Sequence, residues 1–172
     1  SVQPTHATSD MYWAEERLGS ERIKTAYAYQ DLLKQNGWVA LGTDFPVEDI
    51  NPFKTFLASV ARKDAQNFPE NGFQKENALT REQTLRGMTI WAAKSVFQEK
   101  ERGSLEVGKN ADFIILNQDL MNIDEKDILK TNVLETWVDG TKSYYNQKYF
   151  DDLAKKLSGR IVSLDIIEAK AK

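Results

Sequence analysis

Asp44 is the residue whose type and position best suit chemistry. It follows an apolar run at residues 38–42, which leads into Thr43. A run without polar alternation is typical of a strand that is buried on both faces of a parallel sheet. Ligands and catalytic groups in such folds gather at the carboxyl ends of the strands. A carboxylate there could ligate a metal ion or accept a proton from a metal-bound water; the alternative is an aspartate that caps a turn.

His6, the only histidine in the chain, is the second candidate. It lies two residues beyond Pro4, after an extended opening at residues 1–4 that is consistent with the end of a strand. Histidine is a common proton shuttle and metal ligand near neutral pH. The alternative is a surface residue that makes ordinary hydrogen bonds in a polar loop.

The composition excludes several classes of site and partner. The chain has no cysteine, which excludes disulfides, thiolate nucleophiles and zinc–thiolate sites, and one histidine cannot build a multi-histidine metal site. With 23 basic and 26 acidic residues, it has no electrostatic footprint for nucleic acid. No apolar run approaches the ~20 residues of a membrane helix. The lack of cysteine fits the cytoplasm, which is slightly favoured, and is compatible with the periplasm.

The 172 residues, of which 41% are hydrophobic, suffice for a buried core. Because the chain begins with serine and its opening residues resemble the interior of a protein, we expect it to be a piece of a longer one.

The first part of the chain alternates helix and strand signals. Residues 5–20 are polar and predicted to be irregular, and apolar spacing predicts a helix over 21–35 that ends at Gly37. The buried strand at 38–44 follows, and then a helix over 52–62. This order is typical of α/β folds.

The later part changes character. A capping box predicts the start of a helix at residue 80 that continues almost to 103. Strands are predicted at 111–116 and 133–138, the second leading into a type I′ hairpin. Residues 147–157 are predicted to be helical, whereas 161–167 fit either a strand or a helix.

Four stretches together resemble the metal-dependent amidohydrolases, and in particular the YtcJ-like group of TIM-barrel metal-dependent hydrolases. The resemblance runs in order over residues 1–146. The stretches are SVQPTH at 1–6 with Ser9-Asp10, LGTDFPV at 41–47, LTREQTL at 79–85 and GSLEVGKNADF at 103–113.

The resemblance implies an α/β fold, as the C-terminal fragment of a (β/α)₈ barrel that carries a small β-sandwich made from both chain ends. Residues 1–102 would be the last two βα units, with strand seven at 1–4 and strand eight at 38–44. Residues 103–146 would be the β-sandwich portion, and residues 147–172 a C-terminal extension.

The resemblance also implies a reaction, the hydrolysis of a C–N bond, usually amide-like, in a small-molecule substrate. Asp44 would be the strand-eight aspartate, which binds one metal ion and takes a proton from the attacking water or hydroxide. His6 would be a loop residue lining the substrate side. The full-length parent would hold a divalent metal, with zinc expected, that polarises the carbonyl.

The family's other metal ligands would lie upstream of Ser1. The isolated chain is therefore expected to bind no metal and to be inactive, and the alternative is a non-catalytic structural or interaction module. Strand eight would present an open edge where strand one belongs. We expect that edge to pair with the missing N-terminal barrel portion or to cause self-association.

Overall fold

The computed structural model describes residues 1–170, with side chains described up to residue 158. Within this span, helices and one small antiparallel sheet make up the fold. The helices are α1 (Pro4–Asp10), α2 (Ala14–Arg22), α3 (Tyr29–Asn36), α4 (Pro52–Ala61), α5 (Arg81–Met88), α6 (Ile90–Ser95) and α7 (Gln147–Lys170). The strands are β1 (Phe113–Leu116), β2 (Val133–Val138) and β3 (Thr141–Tyr145), and 3-10 turns lie at Ile23–Thr25, Lys75–Asn77 and Glu125–Lys130.

The two predicted parallel strands are reduced to a single bridge. Val2 pairs with Leu41 in parallel orientation. Val2 N donates to Ala40 O at 2.9 Å, and Gly42 N donates to Val2 O at 3.1 Å. The strand prediction for residues 1–4 was wrong beyond this bridge, because Pro4 begins helix α1. Parallel pairing is slightly weaker per residue than antiparallel pairing, and it occurs mainly in sheets that are covered on both faces. Two short isolated segments therefore form only one bridge and no extended strand pairing.

The prediction of irregular structure at residues 5–20 was wrong, because most of α1 and α2 lie there. The single helix predicted over 21–35 is divided in the structure. Residues 21–22 end α2, a 3-10 turn follows at Ile23–Thr25, and α3 begins at Tyr29. Tyr27 has a φ of 55°, which interrupts a right-handed helix.

Local capping signals correctly predicted two helix boundaries. Helix α3 ends at Asn36 and is capped by Gly37, which has a φ of 78° and whose amide donates to Leu33 O at 2.7 Å. Helix α4 begins after Asn51, whose side chain accepts a hydrogen bond from Phe53 N at 2.9 Å. At both positions, one residue allows the unpaired backbone groups at a helix end to form hydrogen bonds.

The capping box is formed, but the helix that it starts is shorter than predicted. Thr80 Oγ1 accepts from Gln83 N at 3.1 Å, and Gln83 Oε1 accepts from Thr80 N at 2.9 Å. The predicted helix over 80–103 then breaks at Thr89, whose φ and ψ are −125° and −96°. Thr89 Oγ1 donates to Leu85 O at 2.7 Å, and the chain resumes as α6.

The three strands pair in the order β1-β2-β3, all antiparallel. The predicted hairpin is present, with φ of 49° at Asp139 and 71° at Gly140, as a type I′ turn requires. Residues 161–167, for which strand and helix were both open, lie within α7. Of the predicted extension 147–172, the last two residues lie outside the described part.

No helix in the described part is long and apolar enough to span a membrane.

The motif at residues 103–112 forms the connection between α6 and β1. Gly103 has a φ of 92°, and a Cβ there would lie 2.8 Å from Ala93 Cβ. Lys109 Nζ donates to Ser104 Oγ at 2.6 Å and lies 3.1 Å from Glu106 Oε2. Gly103 permits the close approach to α6 because it has no Cβ. Lys109 stabilises the turn through its contacts with Ser104 and Glu106.

Two clusters of buried apolar side chains hold the described part together. The first joins α1, α3 and the run before Asp44, through residues Ala7, Tyr29, Leu33, Val39, Leu41 and Leu79. The second joins α4 to the 3-10 turn before β2, through residues Phe53, Phe56, Leu57, Val60, Ala61 and Ile128.

Helix α5 packs against Leu41. Leu41 N donates to Gly87 O at 2.9 Å. The strand edge that was expected to be open is therefore occupied at this position by the main chain of α5.

Candidate active site

Asp44 lies at the carboxyl end of the bridged run, three residues after Leu41. Its φ is 59°, in the left-handed region, and its side chain is 41% exposed. Its main-chain carbonyl accepts from Val47 N at 2.8 Å and from Glu48 N at 3.3 Å. The turn is thus closed by the Asp44 carbonyl, and among the described contacts the carboxylate does not cap it, in contrast to the alternative considered from sequence.

His6 lies on the first turns of α1, which Pro4 starts. The expectation of a loop position for His6 was therefore wrong. Its Nε2 lies 3.2 Å from Asp44 Oδ2, and its side chain is 32% exposed. The Val2–Leu41 bridge places the two residues together, because each follows one of the bridged residues by a few positions.

Two further side-chain hydrogen bonds start from α1, and sequence reasoning predicted neither partner, although Ser9 and Asp10 belong to the stretches that resemble the family. Ser9 Oγ donates to Glu48 Oε1 at 2.7 Å. The hydroxyl of Tyr27 donates to Asp10 Oδ2 at 2.8 Å. Burial, followed by that hydrogen bond, raises the pKa of Tyr27 well above its ordinary value, so the phenol stays protonated.

A cavity of about 460 Å³ opens beside His6, and Gln3, Tyr27 and Tyr29 contribute to its lining. Burial raises the pKa of Tyr29 to about 12, and its hydroxyl donates to Gln3 O at 3.0 Å. Asp44 does not line this cavity. The site therefore consists of the Asp44–His6 pair at the end of the bridged run and of a separate cavity, which lies on the α3 side of His6.

The donors present fit part of a metal site. A carboxylate at a strand end is a suitable ligand for a divalent cation, and the oxygens of Asp44 are accessible. Within the part of the chain that the structure describes, no group of three or more His, Cys, Asp or Glu residues could hold a metal ion. Since zinc sites take at least three protein ligands, Asp44 would be one ligand among others that residues 1–158 do not supply.

A carboxylate at the end of a bridged run occupies the kind of position where catalytic or metal-binding groups of α/β proteins gather. The chain matches the amidohydrolase family over residues 1–144. It belongs to that family.

Its relatives include both plant and bacterial proteins. The chain is 37% identical over 145 residues to protein LONG AFTER FAR-RED 3 of Arabidopsis thaliana, covering 84% of this chain and 24% of the relative. It is 29% identical over 143 residues to the putative amidohydrolase YtcJ of Bacillus subtilis, covering 83% and 27%. The chain thus spans about a quarter of the length of these relatives.

The fold resembles that of a solved hydrolase. An uncharacterized metal-dependent hydrolase from Pyrococcus horikoshii aligns with a TM-score of 0.62 and 32% identity, over 72% of this chain and 25% of that one. The similarity supports a mixed fold that corresponds to a fragment of the amidohydrolase fold.

Proposed function

We propose that this chain carries the catalytic aspartate of a metal-dependent hydrolase that cleaves C–N bonds, amide-like ones, in small-molecule substrates. The observation that supports this most directly is the position of Asp44. Its carboxylate is accessible at the carboxyl end of the bridged run and lies 3.2 Å from His6 Nε2. Membership of the amidohydrolase family supports the reaction class.

In this proposal Asp44 has two roles, as one ligand of a divalent metal ion and as the acceptor of a proton from the attacking water. The ion, for which we propose zinc, would supply Lewis-acid polarisation of the carbonyl under attack. His6, whose Nε2 lies 3.2 Å from Asp44 Oδ2, would hold the orientation of the carboxylate from the substrate side.

The proposed architecture assigns residues 1–102 to the last two βα units of a (β/α)₈ barrel and residues 103–146 to a small β-sandwich. Residues 147–172 would form an extension. The remaining metal ligands would come from other parts of a longer protein, since the chain spans about a quarter of its relatives. The isolated chain would then be inactive.

A second candidate is a non-catalytic structural or interaction module, which needs no metal ion. The described residues contain no cluster of three potential metal ligands. The two candidates differ in metal content: a longer protein containing this chain binds stoichiometric metal if it is a hydrolase, and binds none if the segment is a module.

Replacement of Asp44 tests the catalytic role. In the longer protein, we expect Asp44→Asn to lower kcat/KM by about a thousandfold or more, since it removes both a ligand and a proton acceptor. The matched control is Asp152→Asn, which changes an exposed aspartate on α7 that lines no part of the candidate site. Near-normal turnover of Asp44→Asn, measured with an amide library, would refute the assignment.

The isolated chain provides a separate test of the shared metal site. After incubation with zinc and dialysis, elemental analysis of the 172-residue chain should give much less than one equivalent. One tightly held equivalent would contradict the proposal that most ligands lie elsewhere.

A further inference from the structure

Helix α1 and the turn that carries Asp44 are joined at two places. His6 and Ser9 lie three positions apart on α1 and therefore share a face of the helix. His6 Nε2 lies 3.2 Å from Asp44 Oδ2, and Ser9 Oγ donates to Glu48 Oε1 at 2.7 Å. The two contacts run side by side from one helix to one turn.

The turn at residues 44–48 links the Ser9–Glu48 contact to the His6–Asp44 contact. The amides of Val47 and Glu48 both donate to the carbonyl of Asp44, at 2.8 and 3.3 Å. Glu48 is thus part of the same hydrogen-bonded turn as Asp44, so a tether on its carboxylate also limits movement of Asp44. Asp44 has a φ of 59°, in the left-handed region that aspartate tolerates better than most residues but that still costs energy, so restraint of the turn helps to keep it there.

The Glu48 carboxylate has a defined partner in Ser9. The nearby Lys54 pairs with Asp49, at 2.7 Å, among the described contacts. Glu48 is half-buried and Ser9 is exposed, so neither contributes to the apolar clusters that hold the fold. The contact therefore acts on the turn without being required for the core.

We infer that Ser9 and Glu48 are positioning residues, whose hydrogen bond holds the turn carrying Asp44 against α1 and keeps the Asp44 carboxylate beside His6. Only the catalytic consequence of this inference rests on the proposed function. The geometric part is a property of this chain and can be measured in it.

The single histidine makes the measurement direct. Protein labelled with ¹⁵N-histidine gives one set of imidazole signals, which belongs to His6. At one fixed pH, Asp44→Asn defines the change in ring shifts when the neighbouring charge is removed. We expect Ser9→Ala and Glu48→Ala to produce at least about half of that change, as the carboxylate moves away. Glu48→Gln should produce less, because its amide oxygen can still accept from Ser9.

Hydrogen exchange gives a second readout in the same samples. The amides of Val47 and Glu48 should exchange roughly fivefold faster in Ser9→Ala and Glu48→Ala, as expected for loss of one ordinary hydrogen bond that restrains the turn. The matched control, Ser20→Ala, changes an exposed serine on α2 and should alter neither readout. A Glu48→Ala protein with wild-type circular dichroism, unchanged His6 signals and unchanged exchange would overturn the inference.

Activity of the longer protein separates this inference from the proposed function. If both hold, Ser9→Ala lowers kcat with little change in KM, and Glu48→Gln retains more activity than Glu48→Ala. If Asp44→Asn retains full activity, the proposed function fails, while the imidazole signals and the exchange rates still decide the positioning role.

Discussion

Gly87 is the point at which α5 touches the run that leads to Asp44, and its replacement by alanine tests how tightly the two are packed. Leu41 N donates to Gly87 O at 2.9 Å. A Cβ on Gly87 would lie 2.6 Å from Leu41 Cγ and 3.1 Å from Val39 O. Ordinary contacts of a Cβ are 3.4–4 Å, so Gly87→Ala must push α5 away from Leu41.

Two opposing effects set the magnitude. Alanine in place of glycine inside a helix gains about 0.8–1 kcal/mol from backbone propensity. Overpacking of a tightly packed core costs about 1–3 kcal/mol. Leu41 is only 7% exposed, and its Cγ is a branch point rather than the flexible end of a side chain. Overpacking should therefore prevail, and we expect Gly87→Ala to lower the free energy of unfolding by about 1–2 kcal/mol.

The assay is urea denaturation of the chain, followed by far-ultraviolet circular dichroism. Leu41→Ala alone should cost about 2–5 kcal/mol. In the double variant the clash with Leu41 Cγ is gone, so its loss should be about 1–2 kcal/mol smaller than the sum of the two single losses. A Gly87→Ala protein more stable than the wild type, or an additive double variant, would refute the contact.

Three further predictions concern single side chains. Burial raises the pKa of Tyr29 from 10.0 to about 12, so the stability that its neutral phenol contributes is present below pH 10 and lost as pH rises toward 12. In urea denaturation, Tyr29→Phe should remove this part of the alkaline loss of stability. An unchanged dependence of the urea midpoint on pH would contradict the prediction. Asn51→Ala should cost about 1 kcal/mol by leaving Phe53 N without its cap, whereas Asn51→Asp should retain most of the stability; equal losses in the urea assay would argue against a capping role. A hydrogen bond from Lys142 holds the pKa of Glu135 below its ordinary 4.5. The stability that the Glu135 carboxylate contributes is therefore present above pH 4.5 and lost as pH falls through its pKa in the folded protein. Glu135→Gln should make the free energy of unfolding fall less steeply with acid, and an unaltered fall would refute this.

Sequence signals predicted structure wherever one residue decides the local conformation. The left-handed end of α3 at Gly37, the cap at Asn51, the capping box at Thr80 and the hairpin at residues 139–140 are all confirmed. Each depends on contacts within a few positions in the chain, which a single sequence contains.

The predictions that were wrong concern segments whose structure depends on partners distant in sequence or on the unusual backbone conformation of one residue. The apolar run at 38–42 predicted a strand over 38–44. A strand forms, however, only when neighbouring segments pair with its backbone amides and carbonyls, and Val2 is its only strand-like neighbour in the described part. The helix over 21–35 was interrupted by the left-handed Tyr27, a conformation that its sequence did not indicate. The break at Thr89 likewise lies within a good helical pattern.

Pro4 has two readings, and the choice between them determines the geometry of the candidate site. Read as a strand breaker, it leaves His6 in a loop; as the first residue of a helix, it places His6 and Ser9 on one face of α1. The Val2–Leu41 bridge then sets that helix beside the turn that follows Leu41. One pair of backbone hydrogen bonds thus fixes which side chains face Asp44, and this is why the sequence indicated the carboxylate and the imidazole separately but not their contact.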